Sequence, residues 1–364
     1  MAIRISKNPT KSGAKYYFDY THDNKRYRSK LFMTKKEAVK AQADYILKGR
    51  EKPTITFSYL VAEYTKKKKK TWKPSTYVTY IRRLEHIDKV LGNIQIDRLT
   101  QSQYDRFLDY LNNYTWVVKR AGKRVKKRYT AGYKNEIIIL VRSLCKYSLN
   151  YYGVTTRVPF RTERYKETKP LLNYYTEEQF TEFIRHVYRT EYICLFTFLM
   201  YTGCRRGEAL ALRFDDIDFK KKTVNITKTL AQKQKGVPRH DTAPKTASSI
   251  RTLPLTDKAY KACLQMKELY SKKKRFETSW RVFGGTNPLP ETTIGRIKDK
   301  AIKESGLPKI RIHDFRHSFV SMLISKGADV SIISKYVGHS SIKQTLDTYT
   351  HMYQSKMEEI IKNL

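Results

Sequence analysis

The sequence contains few acidic residues and no long apolar segment. Its 364 residues include 34 Asp and Glu against 74 Lys and Arg, which gives a formal net charge of +40. Because this excess is far larger than solubility requires, it indicates a polyanionic partner, and nucleic acid is favoured over an anionic membrane surface. The longest apolar run, Tyr192–Tyr201, is about half of the roughly 20 residues that a membrane span needs. The first residues lack the apolar segment of a signal peptide, so we expect a cytoplasmic protein with no membrane partner.

Cysteines and clustered carboxylates are also scarce, which argues against metal chemistry. The four cysteines lack the paired spacing of zinc sites and are expected to be buried thiols in a reducing compartment: Cys145, Cys194, Cys204 and Cys263. The one acidic cluster, FDDIDF at Phe214–Phe219, is more typical of a helix-to-strand turn than of a magnesium site. A zinc site at His313 and His317 is disfavoured, because the glutamate of an HExxH motif and nearby cysteines are missing.

The remaining pattern predicts a mainly helical α+β protein with three domains. The first, residues 1–52, has two strand-like stretches, KYYFDY and KRYRSKLF, and a helix that starts with a capping box of Thr34 and Glu37 and ends at Gly49. One face of this sheet would carry Lys15, Tyr17, Arg26 and Arg28. This face is either a groove-reading surface or a basic hairpin without a specific target.

The second and third domains are predicted at residues 54–155 and 171–364. Apolar residues recur at helical spacing through the second, with Pro74 in a first turn and Thr100 at a helix start. Its two basic runs, TKKKKKTWK and VVKRAGKRVKKRY, are either solvated loops or segments that follow a nucleic-acid backbone, because Trp72 and Trp116 are interleaved with the charges. Residues 153–170 resemble a linker, and the third domain mixes helices with the strands TVNITKT and SIRTLPL.

The third domain carries six residues whose types suit phosphoryl transfer. They occur in TGCRRGEALAL, PKTASSIRTLPL, IHDFRHSF, VGHSS and DTYTH, and are Arg205, Lys245, His313, Arg316, His339 and Tyr349. Arginine and histidine can bind the non-bridging oxygens of a phosphate as charge develops in a transition state. A tyrosine hydroxyl can attack phosphorus, and a lysine or histidine can protonate the departing oxygen. Singly, each residue has an ordinary explanation, such as an Arg205–Glu208 ion pair or a core imidazole.

At these positions the sequence resembles the tyrosine recombinase, or phage-integrase, family. The family pattern is an arginine in TGxRxGE, a strand-hairpin lysine, HxxR, GH and a tyrosine about ten residues further on, and all six positions match in order. Lys245 has rivals in Lys228, Lys233 and Lys235, and the PKTASSIRTLPL context decides for it. Arg206 falls on a variable position, and no role transfers to His317, for which we predict packing.

The resemblance implies a site-specific DNA recombinase, most simply the integrase of a phage or conjugative element. Tyr349 would form a 3′-phosphotyrosyl link without metal or nucleotide cofactor. The implied partners are double-stranded DNA at core and arm sites and a homotetramer on DNA, with an excisionase and a host DNA-bending protein. The first domain would bind arm sites and the second core sites. The open alternatives are a chromosome-dimer-resolving recombinase, a type IB topoisomerase and a non-enzymatic DNA- or RNA-binding protein.

Overall fold

The chain forms two compact units in a computed structural model. The structure describes residues 3–22, 25–49, 55–120, 122–167, 172–231, 239–244, 247–339 and 341–362. The first unit is Met1–Thr168 and the second is Lys169–Leu364. Small sheets accompany a predominance of helices in these residues, so the predicted α+β, mainly helical fold class is confirmed.

The first unit begins with a small antiparallel sheet covered by one helix. Strands β1 (Ile3–Ile5), β2 (Tyr16–His22) and β3 (Lys25–Arg28) pair in that order, and α1 spans Lys35–Gly49. Thr34 and Glu37 exchange the two bonds of a capping box: the N–H of Thr34 donates to the Glu37 carboxylate and the N–H of Glu37 donates to the Thr34 hydroxyl. The helix and two of the strands match the sequence prediction, whereas β1 was not predicted.

The basic face of this sheet differs from the expectation in one respect. Tyr17 is buried rather than displayed, because the Arg28 guanidinium lies over its ring at 4.2 Å from the ring centre. Arg4 and Arg28 also approach the Asp19 carboxylate at 3.6 and 3.7 Å. The prediction that Tyr17 is available on this face is therefore wrong, while the arginines remain largely exposed.

A helical bundle follows and supplies most of the apolar core of the first unit. Its helices are α2 (Phe57–Lys69), α3 (Pro74–Leu91), α4 (Gln101–Asn113), α5 (Ala131–Tyr152) and the short α6 (Val158–Arg161). The predicted helix starts are confirmed, since Pro74 is the first residue of α3 and Thr100 caps α4 in a capping box with Gln103. Side chains of α2 to α5 form one continuous buried cluster that includes Phe57, Leu84, Phe107 and Val141.

Two segments of the bundle depart from the sequence interpretation. The second basic run is not an irregular loop, because β4 (Thr115–Arg120) and β5 (Lys123–Arg128) form an antiparallel two-stranded ribbon. The stretch expected to be a linker contains α6 and is bound to α5: the Arg142 guanidinium donates to the carbonyls of Pro159 and Thr162 at 2.9 and 2.6 Å. Both differences arise from contacts that the residue pattern alone does not show, namely the cross-strand pairs of the ribbon and the hydrogen bonds between α5 and the segment after it.

The second unit is a mixed α/β arrangement around a buried helix. Its helices are α7 (Glu177–Arg185), α8 (Thr190–Thr202), α9 (Arg206–Ala211), α10 (Asp257–Ser271), α11 (Glu291–Ser305), α12 (Asp314–Ser325), α13 (Val330–Val337) and α14 (Ile342–Lys362). Its strands are β6 (Ile217–Asp218), β7 (Thr223–Ile226), β8 (Thr229–Leu230), β9 (Asp241–Thr242) and β10 (Arg251–Pro254), paired as β10-β7-β6 and β8-β9.

Helix α8 lies at the centre of this unit, and its C-terminal end positions residues of the candidate active site. It is apolar all round, as expected of a helix enclosed by other elements, and nine of its residues are buried. All four cysteines are buried free thiols, as predicted. Within the described residues, no helix is long and apolar enough to span a bilayer.

Candidate active site

The turn after α8 places Arg205. Gly203 ends the helix with a φ of 61°, a left-handed conformation that suits glycine, and a Cβ at this position would come within 2.6 Å of the Phe319 ring. Arg205 then precedes α9, where the Glu208 carboxylate accepts its backbone N–H at 3.0 Å and its Nη1 at 2.8 Å. Its Nη2 donates to the Gly338 carbonyl at 3.0 Å. The guanidinium is therefore held on two sides.

Glu208 is a buried carboxylate shared by two arginines. Arg251, on β10, donates from Nη2 to Glu208 Oε2 at 3.1 Å and from Nε to the Tyr336 carbonyl at 2.8 Å. Burial acts to raise the pKa of Glu208, but the guanidinium groups of Arg251 and Arg205 outweigh it and hold the pKa below its usual range. Glu208 therefore stays ionised and links Arg205 to the strand that carries Arg251.

Arg316, in the first turn of α12, spans the gap between the ends of two other helices. Its Nη1 donates to the Gly203 carbonyl at 2.9 Å and to the Val337 carbonyl at 2.7 Å. Its Nη2 is buried and has no hydrogen-bond acceptor among the described residues. A buried donor left unpaired costs about 1–3 kcal/mol. Burial and then the nearby Arg205 lower the pKa of Arg316 to about 10, so it is still positively charged at neutral pH.

His313 immediately precedes α12 and lies three residues before Arg316. Its ring meets that of His317 edge-on, with 5.2 Å between the ring centres. Desolvation by the surrounding protein lowers the pKa of His313 to about 4, and His317, Arg316 and Arg205 act in the same direction. The residue nevertheless keeps access to solvent, so a neutral imidazole is available at the surface of the site.

His339 lies in the turn between α13 and α14. Gly338 ends α13 with a φ of 72°, and its carbonyl is the one that Arg205 contacts. The Nδ1 of His339 is bonded to the Thr345 hydroxyl at 2.7 Å, which leaves Nε2 to meet a ligand. Burial, followed by Arg316 and Arg205, lowers the pKa of His339 to about 3. The imidazole is therefore neutral, and it lies close to both guanidinium groups.

Tyr349 is buried in α14, with 1% of its surface exposed. The helix departs from regular geometry at this residue, where φ is −117° and ψ is 17°. The hydroxyl is bonded to Nδ1 of His317 at 2.6 Å. Burial raises the pKa of Tyr349, although Arg316 acts in the opposite direction. Around the ring are side chains of α12 and α13: Phe319, Val320, Ile324, Ile333 and Val337.

The structure gathers five of the six predicted residues and does not describe the sixth. Arg205, Arg316 and His339 meet at the end of α13, while His317, the residue after Arg316, contacts both His313 and Tyr349. Lys245 lies outside the described residues. Among its rivals, Lys228 pairs with Asp216 at 3.2 Å, and the other two also lie outside the described residues.

Three contacts were not anticipated from the sequence. Arg206 pairs with Glu291 at 2.9 Å and so points to a different partner from Arg205, which agrees with its variable position. Arg251 had no signal beyond lying in a predicted strand. His317, for which we predicted packing alone, is hydrogen-bonded to the Tyr349 hydroxyl. Its spacing from His313 was visible in the sequence, but its partner was not.

Comparison with known proteins gives a consistent result for the two units. Residues 173–356 match the model described as "Phage integrase family", and residues 56–112 match "Phage integrase, N-terminal SAM-like domain". The ICEBs1 integrase of Bacillus subtilis (strain 168) is 31% identical over 214 residues, which are 54% of this chain and 55% of that protein. The match thus spans about half the length of that relative. The integrase of Staphylococcus phage L54a is 25% identical over 338 residues, which are 86% of this chain and 94% of that protein.

Solved structures share the fold. The Tn1549 transposon integrase in complex with a circular intermediate DNA has a TM-score of 0.68 at 19% identity, and the match covers 84% of this chain and 99% of that chain. A λ integrase tetramer bound to a Holliday junction has a TM-score of 0.57 at 15% identity, with 92% of this chain and 95% of that chain covered.

Proposed function

Because the chain belongs to the phage integrase family, we propose that it is a site-specific DNA recombinase that integrates and excises a mobile element through a tyrosyl–DNA intermediate. One observation carries the proposal. Two arginines from distant parts of the sequence, Arg205 and Arg316, bind the adjacent carbonyls of Gly338 and Val337, beside the imidazole of His339. Three donors around one point suit the oxygens of a phosphodiester.

The proposed reaction needs only groups of this chain. The Tyr349 oxygen forms a bond to phosphorus and loses its proton to a neutral imidazole of the site, while the bond from phosphorus to the 5′ oxygen breaks. Arg205 and Arg316 stabilise the charge on the non-bridging oxygens, and the neutral His339 donates a hydrogen bond there. The 5′ oxygen leaves with a proton from Lys245, and His313 assists proton transfer at the same phosphate. A 5′-hydroxyl of the partner strand then attacks the phosphotyrosine and reverses the chemistry, so the phosphodiester energy is conserved without nucleotide hydrolysis.

The unpartnered Nη2 of Arg316 supports a phosphate ligand in particular. Its burial without an acceptor is unfavourable in the protein alone. A non-bridging phosphate oxygen would provide the acceptor with charge assistance. Binding of the scissile phosphate would thus relieve a cost that the folded protein carries at this residue.

The proposal extends to partners and domain roles. Residues 1–52 would bind arm sites, residues 54–155 would bind the core site, and residues 171–364 would carry out the chemistry. Four copies would assemble on two DNA sites, as the λ integrase tetramer does on its junction, with an excisionase and a host DNA-bending protein as accessory partners in the bacterial cytoplasm. The net charge of +40 supports DNA as the main partner.

The direct test is covalent capture with a nicked duplex. Cleavage releases a short strand that diffuses away, so the 5′-hydroxyl needed for religation is lost and the covalent intermediate accumulates. We expect the wild-type protein to form an adduct that resists denaturation, and Tyr349→Phe to bind the same DNA but form none. Tyr353→Phe, one helical turn further on, is the matched control and should retain the adduct. If Tyr349→Phe still forms an adduct while Tyr353→Phe does not, the assigned nucleophile is wrong.

A further inference from the structure

The β4–β5 ribbon concentrates positive charge without any counter-charge of its own. Seven of the fourteen residues from 115 to 128 are Lys or Arg and none is Asp or Glu. The register places Lys119 opposite Arg124 and Arg120 opposite Lys123. Like charges directly opposite each other destabilise a strand pair, and a two-stranded ribbon is only marginally stable in water. The sequence therefore retains an arrangement that is unfavourable for the protein alone.

One face of the ribbon is open to solvent. Because side chains alternate along a strand, Val117, Lys119, Arg124, Lys126 and Arg128 share a face with Thr115. All five are exposed, and Val117 keeps 59% of its surface accessible. None of the ribbon side chains at 115–119 and 122–128, which the structure describes, forms an ion pair.

The base of the ribbon, in contrast, is firmly attached to the helical bundle. The rings of Trp116 and Tyr129 lie 4.9 Å apart, and Tyr129 stacks on Tyr114 with 5.0 Å between ring centres. The Tyr129 hydroxyl is also bonded to Nε2 of His86, on α3, at 2.7 Å. Aromatic contacts of this kind are worth roughly 0.5–1.5 kcal/mol each beyond their buried area. The ribbon is thus a fixed projection with a charged, open face.

The ribbon also lies between the two segments that match family models, since one ends at residue 112 and the next begins at residue 173. We infer that the β4–β5 ribbon is a DNA-binding arm that enters the major groove beside the core site. The major groove of B-DNA is wide enough for a two-stranded ribbon, and phosphates on both groove walls would supply the missing counter-charge. This inference rests on the proposed function, since it takes duplex DNA as the ligand.

The test uses the full-length chain and a duplex that extends beyond the core site. The variant Lys119→Gln, Arg124→Gln, Lys126→Gln removes three exposed charges, and the matched control Lys119→Arg, Lys126→Arg retains them. We expect the triple variant to bind at least about 10-fold more weakly near physiological salt. Each lost phosphate contact should reduce the slope of log K against log salt by about 0.9. Guanine N7 atoms in one flanking major groove should be protected from methylation by the wild type and the control but not by the triple variant.

Several results would overturn the inference. If the triple variant binds DNA with the affinity and the salt dependence of the wild type, the ribbon does not contact DNA. If the triple variant shows a smaller salt dependence but the wild type does not protect guanine N7, the ribbon contacts phosphates without entering the major groove. Tighter binding of an RNA duplex than of DNA by the wild type alone would point to a different ligand. Failure of the wild type to form the Tyr349 adduct on a saturated core duplex would instead contradict the proposed function.

A separate observation concerns His317. Its Nδ1 is the hydrogen-bond partner of the Tyr349 hydroxyl at 2.6 Å, and the edge of its ring contacts His313. The geometry points to His317 as the group that receives the Tyr349 proton when the tyrosine attacks phosphorus. The O–H bond breaks, an N–H bond forms at Nδ1 and the phenolic oxygen bonds to phosphorus, so the charge balances. This step also rests on the proposed function.

The charged groups around His317 are consistent with a neutral imidazole before the reaction. Burial lowers the pKa of His317; Asp314 on the same helix acts in the opposite direction, while Arg311 and Arg316 lower it further. From the other elements, His339 of the turn before α14 and Tyr349 itself face this group. A neutral ring can accept a proton, whereas an imidazolium could only donate one.

The test separates proton transfer from positioning. A substrate with sulfur in place of the 5′ bridging oxygen needs no proton on the leaving group, so its cleavage rate reports on the tyrosine. His317→Asn keeps an acceptor near the Nδ1 position but cannot take up a proton. We expect the wild-type rate to decrease at acidic pH, where the imidazole is protonated, and to level off above its pKa. The variant should be about 10²-fold slower or more near neutral pH, and its rate should rise steadily with pH without levelling off, because hydroxide must then remove the tyrosine proton. A wild-type-like rate and pH profile, or faster cleavage by His317→Ala, would show that His317 only restrains the tyrosine.

Discussion

The two arginines of the site are held by different kinds of partner. Arg205 is paired with the Glu208 carboxylate, which retains Arg251 as a second partner if Arg205 is removed. Arg316 is more buried, and its Nη1 donates to two backbone carbonyls, those of Gly203 and Val337. Loss of Arg205 therefore leaves a compensated carboxylate and removes one donor from the Gly338 carbonyl, whereas loss of Arg316 removes the donor from two carbonyls. The catalytic effects of the two changes should be similar, but their effects on stability should differ.

We expect Arg205→Ala and Arg316→Ala each to reduce single-turnover cleavage by about 100-fold or more, as loss of a transition-state donor does. Replacing either arginine by lysine should restore only part of the cleavage rate, because an ammonium group does not reproduce bidentate binding of a phosphate. Arg316→Ala should lower the melting temperature more than Arg205→Ala. Arg206→Ala, which removes the Glu291 pair instead, is the control and should cleave normally.

Cleavage by the wild type should be unaffected by EDTA, and a strict need for Mg²⁺ would contradict the metal-free reaction.

The site histidines should make stability dependent on pH. Their pKa values in the folded protein are lowered, to about 4 for His313 and about 3 for His339. Unfolded histidine titrates near 6.5, so the unfolded chain takes up protons first as pH falls. The free energy of unfolding should therefore decrease as pH drops from about 6.5 towards 4. Calorimetry at several pH values would measure this, and His339→Asn should show a shallower decrease. A flat profile in the wild type would contradict the assigned pKa directions.

At the scale of elements, the turn after α8 determines the position of both arginines. Gly203 provides the left-handed residue that redirects the chain to Arg205, and its carbonyl accepts a bond from Arg316. Its lack of a side chain also makes room for Phe319 of α12. One glycine thus serves the helix end, the packing of two helices and the geometry of the site.

Comparison with Gly306 isolates the packing contribution. Both glycines end helices with similar φ values, 61° and 67°, but a Cβ at position 306 would meet no atom within 4 Å. Gly306→Ala should cost only the left-handed strain, about 1–2 kcal/mol. Gly203→Ala should cost about 1–3 kcal/mol more through overpacking against Phe319 and should also slow cleavage. Urea unfolding and single-turnover rates would measure both. Equal destabilisation and normal cleavage by both variants would contradict this account of the turn.

Elements fixed by local interactions were predictable from the sequence. The capping boxes at Thr34 and Thr100 and the proline that starts α3 depend on residues three or four positions apart. The β4–β5 ribbon was missed because like-charge runs are typical of loops, while its pairing depends on cross-strand register and on an aromatic contact with α3.

The candidate site shows the same division between features that local sequence predicts and features that depend on tertiary contacts. Residue types and spacing predicted a set of residues, of which the structure brings Arg205, Arg316 and His339 together, and their catalytic roles stay predictions. They did not predict which backbone carbonyls hold the arginines, nor that His317 bonds to Tyr349, because these contacts join elements far apart in sequence. Lys245 stays a prediction.

At the scale of the whole molecule, residues 1–52 are the part expected to distinguish the proposed integrase from a two-domain recombinase. They form their own sheet and helix, with a separate set of buried side chains that includes Phe18 and Ala38. They contain none of the six candidate catalytic residues. Their exposed arginines, Arg4 and Arg28, lie on the sheet face opposite Phe18. A domain of this kind would add affinity by linking two binding events rather than by contributing to the chemistry.

A truncation that begins near Pro53 should therefore separate binding from chemistry. It should still cleave a short core-site duplex and form the Tyr349 adduct, because the helical bundle and the catalytic unit are intact. It should fail to integrate a plasmid that carries the full attachment region, and its footprint should lose the distant arm sites. The double variant Arg4→Ala, Arg28→Ala in the full-length chain is the matched test of the sheet face, and it should show the same loss of arm footprints with a lower salt dependence of binding. If the truncated protein integrates as efficiently as the full chain, the first domain does not bind arm sites, and a recombinase that acts through its core-binding and catalytic parts alone becomes the better description.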